Sequence, residues 1–174
     1  MRQGWGKPQI NRSIREKPLA IGGATFERGV GTHAHSTLWL ELAGGTEKFT
    51  AAVGVDDAAG GPASLEFKIV GDGKTLWNSG VMKPGQAAKS VDVDLRGVKT
   101  LLLTVADGGD GIGFDHADWA DAKFLVAGAK PRTVSAPPEP AVLLTPKPAP
   151  APRVNGPTVY GGRPGHCFLY RIPA

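Results

Sequence analysis

The chain has 174 residues and a formal charge of +4, enough for one domain of ordinary size plus extensions. The excess charge sits in the flanks: residues 1–18 hold five Lys/Arg against one Glu and residues 129–174 six against one, whereas residues 19–128 hold nine Lys/Arg against fourteen Asp/Glu. An acidic body argues against nucleic acid, whose binding rests on clustered basic groups. The single cysteine, Cys167, excludes an internal disulfide and a cysteine-rich zinc site. No run approaches the ~20 apolar residues of a membrane span, and the N-terminus lacks the apolar core of a signal peptide, so the chain as given reads as soluble.

From Leu19 to Gly128 the dominant pattern is period-two alternation, which puts apolar side chains on one face of a strand. Leu38, Leu40 and Leu42 share a face in "STLWLEL", and Phe49, Ala51, Val53 and Val55 do so in "KFTAAVGV". "LEFKIV", "SVDVDL" and "TLLLTV" repeat the pattern with Leu65/Phe67/Ile69, Val91/Val93/Leu95 and Leu101/Leu103/Val105, and Ala122, Phe124 and Val126 form the last inward row. The segments between them, such as "DDAAGGP", "GDGK", "KPGQ" and "DGGDGIG", are turn chemistry built on Gly, Asp and Pro. Short, regularly spaced strands without crossover helices predict an all-β fold, an antiparallel β-sandwich or jelly roll, over residues 1–128. Residues 129–152 contain eight prolines within "KPRTVSAPPEPAVLLTPKPAPAP" and read as an extended linker. Residues 153–174 are too few to fold unaided and read as the truncated start of a second domain.

The chemistry-bearing residues fall into three groups. In "GVGTHAHS", His33 and His35 share a face if the chain is extended, and with His116 they could hold a transition metal, as in a small cupin-like enzyme. The glutamate and the second motif that a cupin needs are missing, and no nucleophile elbow, "HExxH" or phosphate-cradling loop occurs. The stretch "DGGDGIGFDHADWADAKF" offers carboxylates for a hard cation but matches neither an EF-hand nor a calcium β-roll; Asx turns account for some of its aspartates. In "DGKTLWNSG", Trp77 and Asn78 stand together between turn signals, where a ring can stack on a sugar and polar groups can bond its hydroxyls; Trp77 can equally be core.

Taken in order, "PLAIGGATFERGVGTHAHSTLWLEL", "FTAAVGVDD", "SLEFKIVGDGKTLWNSGVM" and "SVDVDLRGVKTLLLTVADGGDGIGFDHADWADAKF" resemble the NPCBM domain. This is the glycosyl hydrolase family 98 carbohydrate-binding module, equivalent to the family 51 modules, and the resemblance covers roughly residues 4–127. It implies a galactose-binding-like β-sandwich, a non-catalytic appendage of a secreted glycoside hydrolase, and recognition of galactose-containing glycans. It also implies a structural calcium, with Asp121 the first ligand choice and Asp118 the second. The ligand contacts nominated for the sugar are His33, Asp57, Trp77 and Asn78. The tail "RVNGPTVYGGRPGHCFLYRIPA" resembles the start of an immunoglobulin-like domain found between such modules and bacterial α-galactosidases; "YRIPA" is also similar to a sialidase arginine motif, in which Arg171 would meet a carboxylate. The expected state is a monomer linked to its catalytic domain. The alternatives are a structural spacer that binds no ligand and the His33/His35/His116 metalloenzyme.

Overall fold

A computed structural model describes residues 1–137 and, beyond them, Gly165 alone. The Pro-rich stretch from 138 onward, the rest of 153–174, Cys167 and Arg171 lie outside the described residues. In chain order the strands are β1 (Arg2–Gln3), β2 (Gln9–Ile10), β3 (Leu19–Ile21), β4 (Ala24–Phe26), β5 (Gly29–His33), β6 (Ser36–Glu41), β7 (Thr46–Val55), β8 (Leu65–Gly71), β9 (Lys74–Met82), β10 (Lys89–Asp94), β11 (Thr100–Asp107), β12 (His116–Val126) and β13 (Arg132–Val134). The one helical piece among the described residues is a 3-10 turn, Asp57–Ala59. Its entry is capped by Asp56, whose carboxylate accepts from the Ala58 N–H.

Two antiparallel sheets form a β-sandwich, as the alternation predicts. The first runs β1-β6-β11-β8-β9, with β13 also on β6; the second runs β10-β7-β12-β5-β2. Alternation decides which side chains enter the space between them: Leu65, Phe67 and Ile69 of β8 are fully buried, as are Phe49 and Val53 of β7. Trp119 of β12 joins the layers, meeting Phe67 edge to face at 5.1 Å and Phe49 at 6.2 Å, while Phe49 and Phe124 pack at 4.7 Å. Such aromatic pairs add about 0.5–1.5 kcal/mol beyond the burial of their area.

Two features depart from the sequence reading. The intersheet residues at the start of β12 are Ala117 and Trp119, on the opposite parity to the row that starts at Ala122. Phe124 regains the core because the register shifts between Ala120 and Lys123, where Asp121 has φ 48°. A bulge of this kind adds a residue to one strand and reverses the parity beyond it, which alternation alone does not reveal. The second departure is at the C-terminal side: residues 132–134, assigned to the linker, form β13 and pair with Glu41, Leu40 and Trp39. The compact unit runs Met1–Pro137.

The outer face of the second sheet is covered as well. Residues 11–17 and the β3–β4 hairpin lie on it, and glycine makes the approach possible. A Cβ on Gly54 would stand 2.2 Å from Ile21 Cγ2, and one on Gly31 would stand 2.4 Å from the Arg12 carbonyl oxygen. Asp57 fastens the hairpin by accepting the Gly22 and Gly23 N–H groups, each at 2.8 Å, and Asp56 accepts the Ala20 N–H at 3.3 Å. Both faces of β12 are therefore buried over residues 116–120, so Asp118 and His116 are interior residues although they point away from the hydrophobic core.

Candidate ligand-binding site

Cross-strand register builds the site. His33 at the end of β5 and His116 at the start of β12 are direct partners, so their side chains share one face, with ring centroids 5.6 Å apart. The loop after β1 brings Trp5 over both: its ring is 5.3 Å from His33 and lies almost parallel to His116 at 6.2 Å, tilted by 10°. The Arg15 guanidinium carbon sits 5.7 Å from the Trp5 ring centre, a cation–π distance. Ile112, Gly113 and Phe114, from the loop between β11 and β12, complete an open cup of about 320 Å³, the size of a small-molecule site.

Trp5, Phe114 and Ile112 are 49%, 47% and 38% exposed. Three large apolar side chains thus stand open around one concavity, the kind of surface that ligand-binding grooves use. Phe114 has φ 65°, unusual for a bulky residue, and its ring lies on Gly61, where a Cβ would be 2.6 Å from Phe114 Cγ. The His33 Nδ1–H donates to the Ala34 carbonyl at 2.6 Å, which leaves Nε2 as an acceptor. Burial first, then the Arg15 charge and His33, hold His116 below the usual imidazole range, so it is neutral at pH 7; its buried Nδ1 has no hydrogen-bond partner among the described residues.

The loop that carries Phe114 is itself anchored. Asp115 is buried and accepts the Ser64 N–H at 3.1 Å, and the Ser64 hydroxyl donates to Asp110 at 2.6 Å. Desolvation, followed by repulsion from Asp110 and Asp107, pushes Asp115 up to about 6. His35 faces this cluster, 3.7 Å from Asp107, with most of its ring exposed.

Of the four residues nominated for the sugar, the cup contains His33. Asp57 holds the hairpin turn. Trp77 and Asn78 are on β9, in the other sheet: Trp77 packs against the core, while Asn78 donates to Glu66 at 2.9 Å and accepts the Gly80 N–H at 2.7 Å. His33 and His35 do not share a face, because the chain bends at Ala34 and His35 before β6 begins, and the two-residue rule holds only for extended backbone. Among the described residues no group of three or more His, Cys, Asp or Glu side chains is arranged to hold a metal, so the His33/His35/His116 triad is not assembled. Sequence reasoning missed Trp5, Arg15 and Phe114 as site residues. The available signal was "GWGKP", an aromatic ring between glycines with no strand to bury it.

Of the two residues nominated for calcium, Asp121 is exposed at the bulge, and its N–H donates to the Arg28 carbonyl at 2.8 Å. Asp118 is fully buried, and neither of its oxygens receives a hydrogen bond from the described residues. Burial and the adjoining carboxylate of Asp56 push it up to about 9, so without a cation it holds a proton at neutral pH. An orphaned carboxylate beside a second buried one fits a hard cation that draws its remaining oxygens from the backbone.

Comparison with known proteins bears on this geometry. The profile of the NPCBM/NEW2 domain matches residues 1–125. The chain belongs to the NPCBM/NEW2 family. Alpha-1,3-galactosidase B of Akkermansia muciniphila is 38% identical to the NPCBM chain over 132 residues, which are 74% of this chain and 16% of that protein. The chain thus spans less than a fifth of this curated relative. Among solved structures, the family 51 module of Clostridium perfringens GH95, in complex with methyl-galactose, superposes with a TM-score of 0.68 at 35% identity, covering 71% of this chain and 91% of that one. The second family 51 module of C. perfringens ZmpB, solved with its INT domain and GlcNAc, gives 0.66 at 32% identity, covering 71% and 28%. The NPCBM chain has the β-sandwich fold of a carbohydrate-binding module. No helix among its described residues is long and apolar enough to cross a membrane.

Proposed function

We propose that the module binds the terminal galactose of a glycan in the cup formed by Trp5, His33, His116, Arg15 and Phe114, and that it tethers a secreted, α-galactosidase-like glycoside hydrolase to its substrate. The observation that carries this reading is the exposed Trp5 ring beside two imidazoles. A pyranose can stack its C–H face on the indole while His33 Nε2 accepts a hydroxyl proton and Arg15 donates. The methyl-galactose complex of the C. perfringens GH95 module and the galactosidase name of the Akkermansia relative support the choice of sugar and parent enzyme. Tethering works by raising the effective concentration of enzyme at its substrate.

Calorimetric titration with methyl galactoside, with methyl glucoside and GlcNAc as controls, tests the reading. Galactoside should bind best, and Trp5→Ala should weaken it by about 30-fold or more, the mark of an aromatic hot spot, while the fold persists. Equal binding by Trp5→Ala, or no galactoside binding at millimolar concentration, would defeat it.

A calcium ion held by Asp118 with Asp56 would supply charge neutralisation and cross-link β12 to the turn after β7. Calcium should raise the melting temperature, chelation should lower it, and Asp118→Asn should remove both responses. Melting that ignores chelator counts against calcium.

A further inference from the structure

The cup has an imbalance that galactose alone does not use. Among the described residues no carboxylate or carboxamide side chain lines it: Trp5, Arg15, His33, Ile112, Gly113, Phe114 and His116 make the wall. Sugar hydroxyls both donate and accept, and a site for a neutral pyranose is well served by carboxylate or amide oxygens that take the hydroxyl protons. Among the side chains of the wall the acceptor is His33 Nε2, since the unpartnered Nδ1 of His116 is itself buried. The donor side is richer. Arg15 is exposed, its guanidinium carries five N–H groups, and none of the ion pairs among the described residues involves it; it rests on the Trp5 ring. Its charge reaches across the cup, since it is one of the groups that holds His116 neutral.

We propose that the cup selects a galactoside bearing an anionic substituent, a sulfate ester or a carboxylate, which Arg15 receives through paired hydrogen bonds while Trp5 carries the sugar ring. The planar guanidinium fork matches two oxygens of such a group, and charge-assisted bonds of this kind are roughly twice as strong as neutral ones. The Trp5 face keeps the guanidinium at the mouth of the cup, so the fork is held in place before the ligand arrives. The inference rests on the galactoside reading above and narrows it to a chemical class.

The test compares methyl galactoside with its 3-sulfate, its 6-sulfate and the corresponding galacturonide, at low and at high salt, on the full chain. At least one anionic form should bind about tenfold or more tighter than the neutral parent at low salt, with the advantage shrinking as salt rises. The arms separate sulfate from carboxylate as the source of the charge. Arg15→Gln should bring the ratio of anionic to neutral affinity close to one, and Arg15→Lys should restore the salt dependence with part of the ratio. Neutral galactoside bound as tightly as every anionic form overturns this inference and leaves the galactoside reading standing. Failure of all four galactosides overturns both. An anionic preference that survives Arg15→Gln overturns the role given to Arg15.

Discussion

Asp115 shows how one side chain links the ligand cup to pH. It lies beneath the loop that presents Ile112 and Phe114, with one oxygen on the Ser64 N–H and the other without a partner among the described residues. Its folded pKa of about 6 lies above the ordinary 3.8. The folded chain therefore holds this proton more tightly than the unfolded chain does. That contribution is present in full below about pH 4, and it is lost as the pH rises through about 6. Asp115→Asn keeps the uncharged shape and removes the ionisation. The stability of this variant relative to the parent should grow between pH 4 and 6 and then level off, by up to about 3 kcal/mol. Urea unfolding of both proteins across that range measures it, and a constant difference would show that Asp115 does not titrate there. The residue was visible in the sequence as one more aspartate of "DGGDGIGFDHADWADAKF"; its burial was not, because that comes from Ser64 and Asp110 closing over it from a distant loop and from the same loop.

The β3–β4 hairpin shows what a small element does for the site. It covers the outer face of β12 because Ile21 occupies the place that a side chain on Gly54 would take. Gly54→Ala should thus overpack this contact, lowering stability by about 1–3 kcal/mol in denaturant unfolding. An unchanged midpoint would mean that the hairpin is not packed as described. At this scale the sequence was readable where strands alternate cleanly. β6, β7, β8, β10 and β11 lie within a residue or two of the runs that define them. β9 was harder, since "KTLWNSG" sits among turn residues and drew attention as a ligand segment although it is an edge strand. The bulge at Asp121 and the layer formed by residues 11–17 left no periodic trace. Both depend on glycines and on backbone contacts between segments far apart in the chain, for which local pattern has no signal. The same reason explains the site: His33 was legible, whereas its partners reach it from unperiodic segments, Trp5 from the loop after β1 and Arg15 from the layer of residues 11–17.

For the whole Met1–Pro137 unit, the C-terminal edge matters more than composition suggests. β13 extends the pairing of β6 beyond β1, Arg132 reaches Glu41 at 2.7 Å, and Val134 and Pro137 line an apolar groove with Trp39 and Leu102. The exposed ion pair contributes little by itself. Pairing and apolar cover together should count, so a protein ending at Gly128 should melt about 3–6 °C below one ending at Pro137. Equal melting temperatures would assign residues 129–137 to the linker after all. The acidic body and basic flanks were legible from charge counts; the boundary between them was not, because a three-residue edge strand among prolines is too short to show alternation.

The placement of Trp5 has a practical consequence. The chain has four tryptophans; Trp119 is 3% exposed, Trp39 and Trp77 are partly covered, and Trp5 is 49% exposed at the mouth of the cup. Water around an indole shifts its emission to the red, so a ligand that covers Trp5 should move the spectrum to the blue while the other three change little. The protein carries its own fluorescent reporter, and titrations with unlabelled glycans can be followed directly by tryptophan emission.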